Sequence, residues 1–194
     1  MSLLAANNLA QSYSFVDVFS GISITVTHDA KIGLIGPNGV GKTTLLRILS
    51  GIETPVLGEL HVARDKKVGY LPQEAVDAFA GDENSVFAEM LTVFEPLHAI
   101  EARMRELEQL MMAESTDAVM EEYGDLQHRF EHGGGYDYDT RVKQTLEGLG
   151  FGPPTDARKR SWDTPVAQLS GGQKTRALLA KLLLQHPDLL ILYR

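Results

Sequence analysis

The sequence predicts a mixed α/β fold in which short strands feed a glycine-rich loop and helices dominate the middle of the chain. Three observations carry this. The apolar run Lys31 to Ile35 passes directly into Gly36-Pro37-Asn38-Gly39-Val40-Gly41 and then into a helical stretch. Neighbouring short segments alternate apolar and polar residues, as half-buried strands do. From Ser85 to Phe130 a single proline, Pro96, interrupts a segment dense in Glu, Leu, Met, Ala and Arg, with apolar residues three and four apart.

Taken in order, Ile22 to Val26 alternates as a strand, and Lys31 to Ile35 reads as a second. Lys42 to Ser50 reads as a helix closed by Gly51, a residue suited to the position after a helix end. Strands are expected again at Glu59 to Ala63 and Lys67 to Leu71, around the charged turn Arg64-Asp65-Lys66. Leu97, Ile100, Met104, Leu107 and Met111 form one apolar seam. Val119, Tyr123, Leu126 and Phe130 form another, after the helix-start signal Ser115-Thr116-Asp117. Two seams with a short link predict a helical hairpin, packed on itself and the core or extended as an arm for a partner. Gly133 to Gly135 ends the second helix, and Gly148 to Pro154 ends the short one that follows. Asp156 to Gln168 reads as a loop, with Arg158-Lys159-Arg160 beside Trp162 either as solvated surface or as an RNA contact. A helix from Gly171 to Gln185 and a strand at Leu189 to Leu192 complete the chain.

Composition sets outer limits. The 194 residues are 43% hydrophobic and 23% charged, ordinary for a folded domain with a core and unlike a disordered or fibrous chain. The absence of cysteine excludes a disulfide scaffold and any thiolate metal site. A net charge of −8 argues against coating a nucleic acid by bulk charge, although a local basic patch can still meet one. Met1 to Ala10 lacks the basic and cleavage features of an export signal, and no run approaches the roughly 20 apolar residues of a membrane helix. The expected location is the cytoplasm.

The residues from Gly36 to Thr43 fit G-x-x-x-x-G-K-[ST] between a predicted strand and a predicted helix. Glycines let the backbone curl so that the N–H groups around Asn38, Gly39, Val40 and Gly41 converge on phosphate oxygens. Lys42 is placed to reach the β- and γ-phosphates and the Thr43 hydroxyl to meet Mg²⁺, with Thr44 next in the first helical turn. A second anion-binding surface is Ser170-Gly171-Gly172-Gln173, where Ser170 suits a helix N-cap. One chain cannot easily offer both surfaces to one phosphate, so the second is expected to serve a nucleotide held by another domain.

With Tyr70-Leu71-Pro72-Gln73-Glu74 between them, these motifs resemble an ABC-type ATPase domain, and the resemblance covers nearly the whole chain. The Glu-rich helical insert, Gln73-Glu74 and the Gly-Gly-Tyr stretch ending at Tyr136 are most similar to the first ATPase domain of the ABC-F proteins. That resemblance implies a P-loop NTPase fold with an antiparallel β subdomain, a parallel core sheet, and a helical subdomain carrying the hairpin. The corresponding parts are residues 1–84, residues 85–168, and residues 169–194 with the signature helix and last strand. It also implies ATP and Mg²⁺ as cofactors, Lys42 and Gln73 as catalytic residues, and Thr43 and Gln73 beside the metal. Tyr13 falls where the family stacks an aromatic on adenine, with Phe15 as competitor. Ser170, Gly171, Gly172 and Gln173 are expected to close on the ATP of a second ABC domain, and the ribosome is the expected partner. An ABC transporter subunit and a non-catalytic nucleotide-binding module are the rival expectations.

The departure from the family pattern lies after Leu192. The family continues with an Asp that orders Mg²⁺ and a Glu that positions water, where this sequence has Tyr193 and Arg194. Slow hydrolysis is therefore expected, together with a parallel sheet lacking a strand between Lys31 to Ile35 and Leu189 to Leu192, as in a fragment of a longer protein.

Overall fold

The computed structural model describes residues 2–73, 79, 83–113 and 116–193; Glu74, Ser115 and Arg194 of the motifs above lie outside the described residues. The chain divides into two compact units, Met1–Ala75 with His186–Arg194, and Val76–Gln185.

In the first unit, β1 (Ser2–Tyr13) pairs antiparallel with β2 (Val16–Thr27) on one side and β3 (Leu57–Val62) on the other. No simple alternation marks β1 in the sequence, because a bulge shifts its register between Ala6 and Leu9. Leu4 and Ala6 are buried before the bulge, and Leu9 and Gln11 after it, so the inward set changes parity within one strand. Asn8 sits at φ 50° in the bulge, and its N–H donates to Ser23 Oγ at 2.9 Å.

α1 (Lys42–Leu49) buries Leu45, Ile48 and Leu49 in a core shared with Leu4, Leu9, Val26 and Ile191. β4 (Val68–Leu71) runs parallel to β7 (Leu189–Leu192), in register from Val68 opposite Leu189 to Leu71 opposite Leu192. Asp188 ties the start of this pair, accepting from Lys66 Nζ at 2.7 Å and from the Lys67 N–H at 3.0 Å. The Lys66 ammonium, helped by the Lys67 N–H, holds the Asp188 carboxyl below its ordinary range.

One expected strand is not formed. Lys31 to Ile35 pairs with no strand, and Ile35 is 95% exposed. An apolar slot of about 640 Å³, lined in part by Ile32, Leu34, Leu45 and Leu190, separates this segment from β7. A strand satisfies its N–H and C=O groups through neighbours, and across such a gap this segment has no paired strand among the described residues. The parallel sheet of the first unit is thus β4 and β7 alone among the described residues.

The second unit is helical. α2 (Val86–Leu91), α5 (Tyr138–Gly148) and α6 (Gly171–Leu184) pack together around Met90, Val142, Leu146, Phe151, Ala177 and Ala180. Within them Glu89, 5% exposed, accepts from Lys181 and, at 3.0 Å, from Asn84. A buried carboxylate is tolerated when paired in this way. The hairpin is α3 (Glu95–Ala113) and α4 (Asp117–His132), with Thr116 capping α4. Leu97, Met104 and Phe130 of the two seams join the core, so the seams are packing surfaces. Arg103 on α3 grips both carboxylate oxygens of Glu122 on α4, at 2.8 and 3.1 Å. In the loop that follows, β5 (Phe151–Gly152) and β6 (Arg160–Ser161) form a short parallel pair. Trp162 rests against Phe87, 5.9 Å between ring centres, and Arg158 bonds Asp156, so the basic run is partly engaged within the unit.

Leu146 is fully buried. Leu146→Ala should cost about 2–5 kcal/mol in denaturant unfolding followed by circular dichroism; a loss below about 1 kcal/mol would contradict this packing. Because the Asp188 carboxyl is held low, its contribution is present above the carboxyl's unfolded-state pKa and is lost as pH falls through the depressed value. Asp188→Asn should therefore flatten the acid limb of a stability–pH profile and leave its slope near neutrality unchanged.

Candidate nucleotide-binding site

The loop from Gly36 to Gly41 turns at Gly39, φ 82°, and again at Gly41, φ 91°. Gly41 strongly favours glycine: it is left-handed, and a Cβ there would lie 2.6 Å from Val18 Cγ1 on β2. This contact seats the loop against the antiparallel sheet. α1 begins immediately after it, and no side chain caps its N-terminus. The first-turn N–H groups have no intrahelical acceptors, and the helix dipole adds positive potential at the same place. Lys42 folds back over the loop, its ammonium donating to the carbonyls of Gly36 at 2.8 Å and Pro37 at 2.6 Å.

A cleft of about 440 Å³ opens at this point. Asn38, Gly39, Gly41 and Lys42 of the loop line it together with Thr43 and Thr44 of α1, Gln73 beyond β4, and Val18 and Tyr193. Seven of the sequence-derived candidates thus surround one space. Gly36 and Val40 belong to the loop but not to the cleft wall; the Val40 side chain covers the α-carbon of Gly36. Val18 carries no sequence signal, since its place follows from the contact with Gly41. Tyr193 comes from the position already marked as a departure, held by its N–H to Leu71 O at 3.0 Å.

The oxygens around this cleft are hydroxyls, amides and a phenol, and no carboxylate lines it among the described residues. Thr43 and Gln73 can touch a magnesium ion carried in on phosphates, but this neutral set does not hold one by itself. Among the described lining residues the single formal charge is the Lys42 ammonium, and the space suits an anion.

Of the two aromatics, Tyr13 is tied back: its hydroxyl donates to Glu53, which also accepts from Gln11 Nε2 at 2.8 Å and pairs with Arg47 at 3.5 Å. Phe15 stands in solvent at the tip of the β1–β2 turn, 106% exposed. Ser14 at φ 45° and Phe15 at φ 72° give the doubly left-handed turn that suits strand twist. For a bulky residue that conformation costs roughly 1–2 kcal/mol. The freer ring is Phe15.

Ser170, Gly171, Gly172 and Gln173 lie in the helical unit, at the start of α6. Ser170 Oγ accepts the Gln173 N–H at 3.4 Å, and Gln173 Oε1 accepts the Ser170 N–H at 2.9 Å. This reciprocal cap occupies the Gln173 side chain in shaping the helix. At Gly171 and Gly172 an added Cβ would meet nothing within 4 Å, so packing inside the unit does not call for glycine. What the pair provides is bare backbone at a helix N-terminus.

The sequence profile of the family described as ABC transporter matches residues 19–192. The chain is 34% identical over 175 residues to the energy-dependent translational throttle protein EttA of Mycobacterium tuberculosis, covering 90% of this chain and 29% of that protein. It is 34% identical to the tylosin resistance ATP-binding protein TlrC of Streptomyces fradiae, covering 98% of this chain and 34% of that protein. The chain therefore spans about a third of the length of these relatives. Among solved structures, an ATP-binding subunit of an ABC transporter superposes with a TM-score of 0.64 at 17% identity, over 98% of this chain and 65% of that one. A nucleotide-free ATP-binding cassette from an ABC transporter superposes at 0.56 and 19% identity, over 99% of this chain and 68% of that one. Both share the fold.

Gly41→Ala tests the seating of the loop. It should lower the stability of the first unit by about 1–3 kcal/mol in thermal or denaturant melts, whereas Gly171→Ala, in open space, should cost under about 1 kcal/mol. Equal effects of the two would refute the contact with Val18 as the constraint.

Proposed function

The chain belongs to the ABC transporter family, as an ATP-binding domain similar to those of the ABC-F proteins, and on that premise we propose that it binds ATP in the cleft at Lys42 and serves a protein acting on ribosomes in the cytoplasm. The observation that carries the ATP reading is the uncapped N-terminus of α1 behind a glycine loop, with Lys42 folded over the same space. Triphosphate oxygens would take the first-turn N–H groups and draw the ammonium from the Gly36 and Pro37 carbonyls, since a charge-assisted bond to phosphate is stronger than one to a neutral carbonyl. Phe15 or Tyr13 would supply the ring against adenine. Ser170, Gly171 and Gly172 would meet the phosphates of a nucleotide held by a second ABC domain, where bare backbone permits close approach.

Hydrolysis should be slow. Phosphoryl transfer depends on positioning and charge stabilisation, and a single element of such a site can be worth about 10³-fold in rate. Gln73 and Lys42 line the cleft, but no carboxylate there can take a proton from water among the described residues.

The ribosome reading is supported by the similarity to EttA, whose name places it in translation, and by the helical hairpin inserted before the signature. Residues 95–132 hold three arginines, no lysine and ten acidic residues. Such an arm is repelled by RNA phosphates and suits a basic protein surface. No helix among the described residues is long and apolar enough to cross a membrane.

Lys42→Ala should weaken ATP binding by about 10- to 100-fold in equilibrium titration, with circular dichroism unchanged. Retained affinity would overturn the assignment of the cleft. In fractionated lysate the chain should sediment with ribosomes in an ATP-dependent manner, and recovery with membranes instead would favour a transporter subunit.

A further inference from the structure

Magnesium demands hard oxygens in near-octahedral geometry, and in phosphate sites one or two protein carboxylates share it with the phosphates. The cleft at Lys42 departs from that arrangement. Thr43, Gln73 and Tyr193 bring neutral oxygens, and no lining residue is acidic among the described residues. Nor do the described residues contain any group of three or more acidic or histidine side chains able to hold a metal.

Tyr193 occupies the decisive place. β7 ends beside β4, the Tyr193 N–H bonds Leu71 O, and the residue lines the cleft with Gln73 and Thr43. A carboxylate there would line the same space as the Thr43 hydroxyl. A phenol is uncharged at neutral pH and is a poor ligand for a hard cation.

Electrostatics then reverse the usual order of preference. A bound magnesium ion removes two negative charges from the triphosphate. With a carboxylate in the wall, attraction between metal and protein offsets that loss. Among the described residues that line this cleft the only formal charge is the Lys42 ammonium, and it attracts the metal-free polyphosphate more strongly than the magnesium complex.

We infer that this cleft takes its nucleotide as the metal-free polyphosphate at least as readily as its magnesium complex, and that Tyr193 is the residue that removes the magnesium requirement. The inference rests on the ATP reading above and adds the ionic form of the ligand and the residue that selects it.

The test is an equilibrium titration of the full chain with a fluorescent ATP analogue, once in excess Mg²⁺ and once in excess EDTA. The two dissociation constants should agree within about threefold, or the EDTA value should be the tighter. Tyr193→Phe should leave their ratio unchanged. Tyr193→Asp should create a magnesium requirement, with binding at least about tenfold tighter in Mg²⁺ than in EDTA. Tenfold tighter binding of the unaltered chain in Mg²⁺ would overturn the inference while leaving the ATP reading intact. Absence of binding in both buffers, with the chain folded by circular dichroism, would overturn both. A folded Tyr193→Asp chain that still ignores Mg²⁺ would overturn the role of Tyr193, and if that variant fails to fold, the unaltered chain and Tyr193→Phe still decide the matter.

Discussion

The site depends on one steric fact, the absence of a side chain at Gly41 where the loop meets Val18 of β2. A left-handed residue pressed against a strand lets the loop reverse and deliver the chain into α1 with its first N–H groups uncapped. The antiparallel sheet, whose β1 and β2 share a core with Leu45, Ile48 and Leu49 of α1, is the anvil for that contact. Moving β2 outward would change the direction of the helix start as well as the packing of the loop. Loop geometry and the start of α1 are therefore linked through the close approach of Gly41 to Val18 and Phe19 of β2.

Charge in the cleft follows from what surrounds this frame. Lys42, held by two loop carbonyls, is a cation waiting on neutral partners, and neutral partners yield to phosphate. The residues brought from β4 and β7, Gln73 and Tyr193, extend the wall without adding charge. The result is a space with strong donors for an anion and weak ligands for a cation. On the proposed function, grip on phosphate and activation of water would thereby be separated: the backbone would support the first, and nothing acidic would support the second among the described residues.

Much of the loop was legible in the sequence because its chemistry is written in residue types at fixed spacing. Gly39, Gly41, Lys42 and Thr43 announce a loop that turns at its glycines and opens a helix, and Ser170 with Gln173 announces a capped helix start. The hairpin seams were equally legible, since Leu97, Met104 and Phe130 recur at helical spacing and end in the core. β1 was not, because the bulge at Asn8 breaks the two-residue period on which strand reading relies. The segment Lys31 to Ile35 misled in the opposite direction. Its pattern is that of a strand, but strand formation is a property of pairs, and its neighbours across the slot do not reach it. Val18 and the pairing of buried Glu89 with Lys181 were invisible, since each gains its role from residues distant in the chain.

The central claim, that the main-chain donors around Lys42 hold the phosphates, is tested most directly by amide resonances during ATP titration. The N–H signals of Gly39, Gly41, Lys42 and Thr43 should move together to saturation, while those of Gly171 and Gly172 stay in place until a second ABC domain is added. Saturable binding that leaves the four loop amides unmoved would contradict the account.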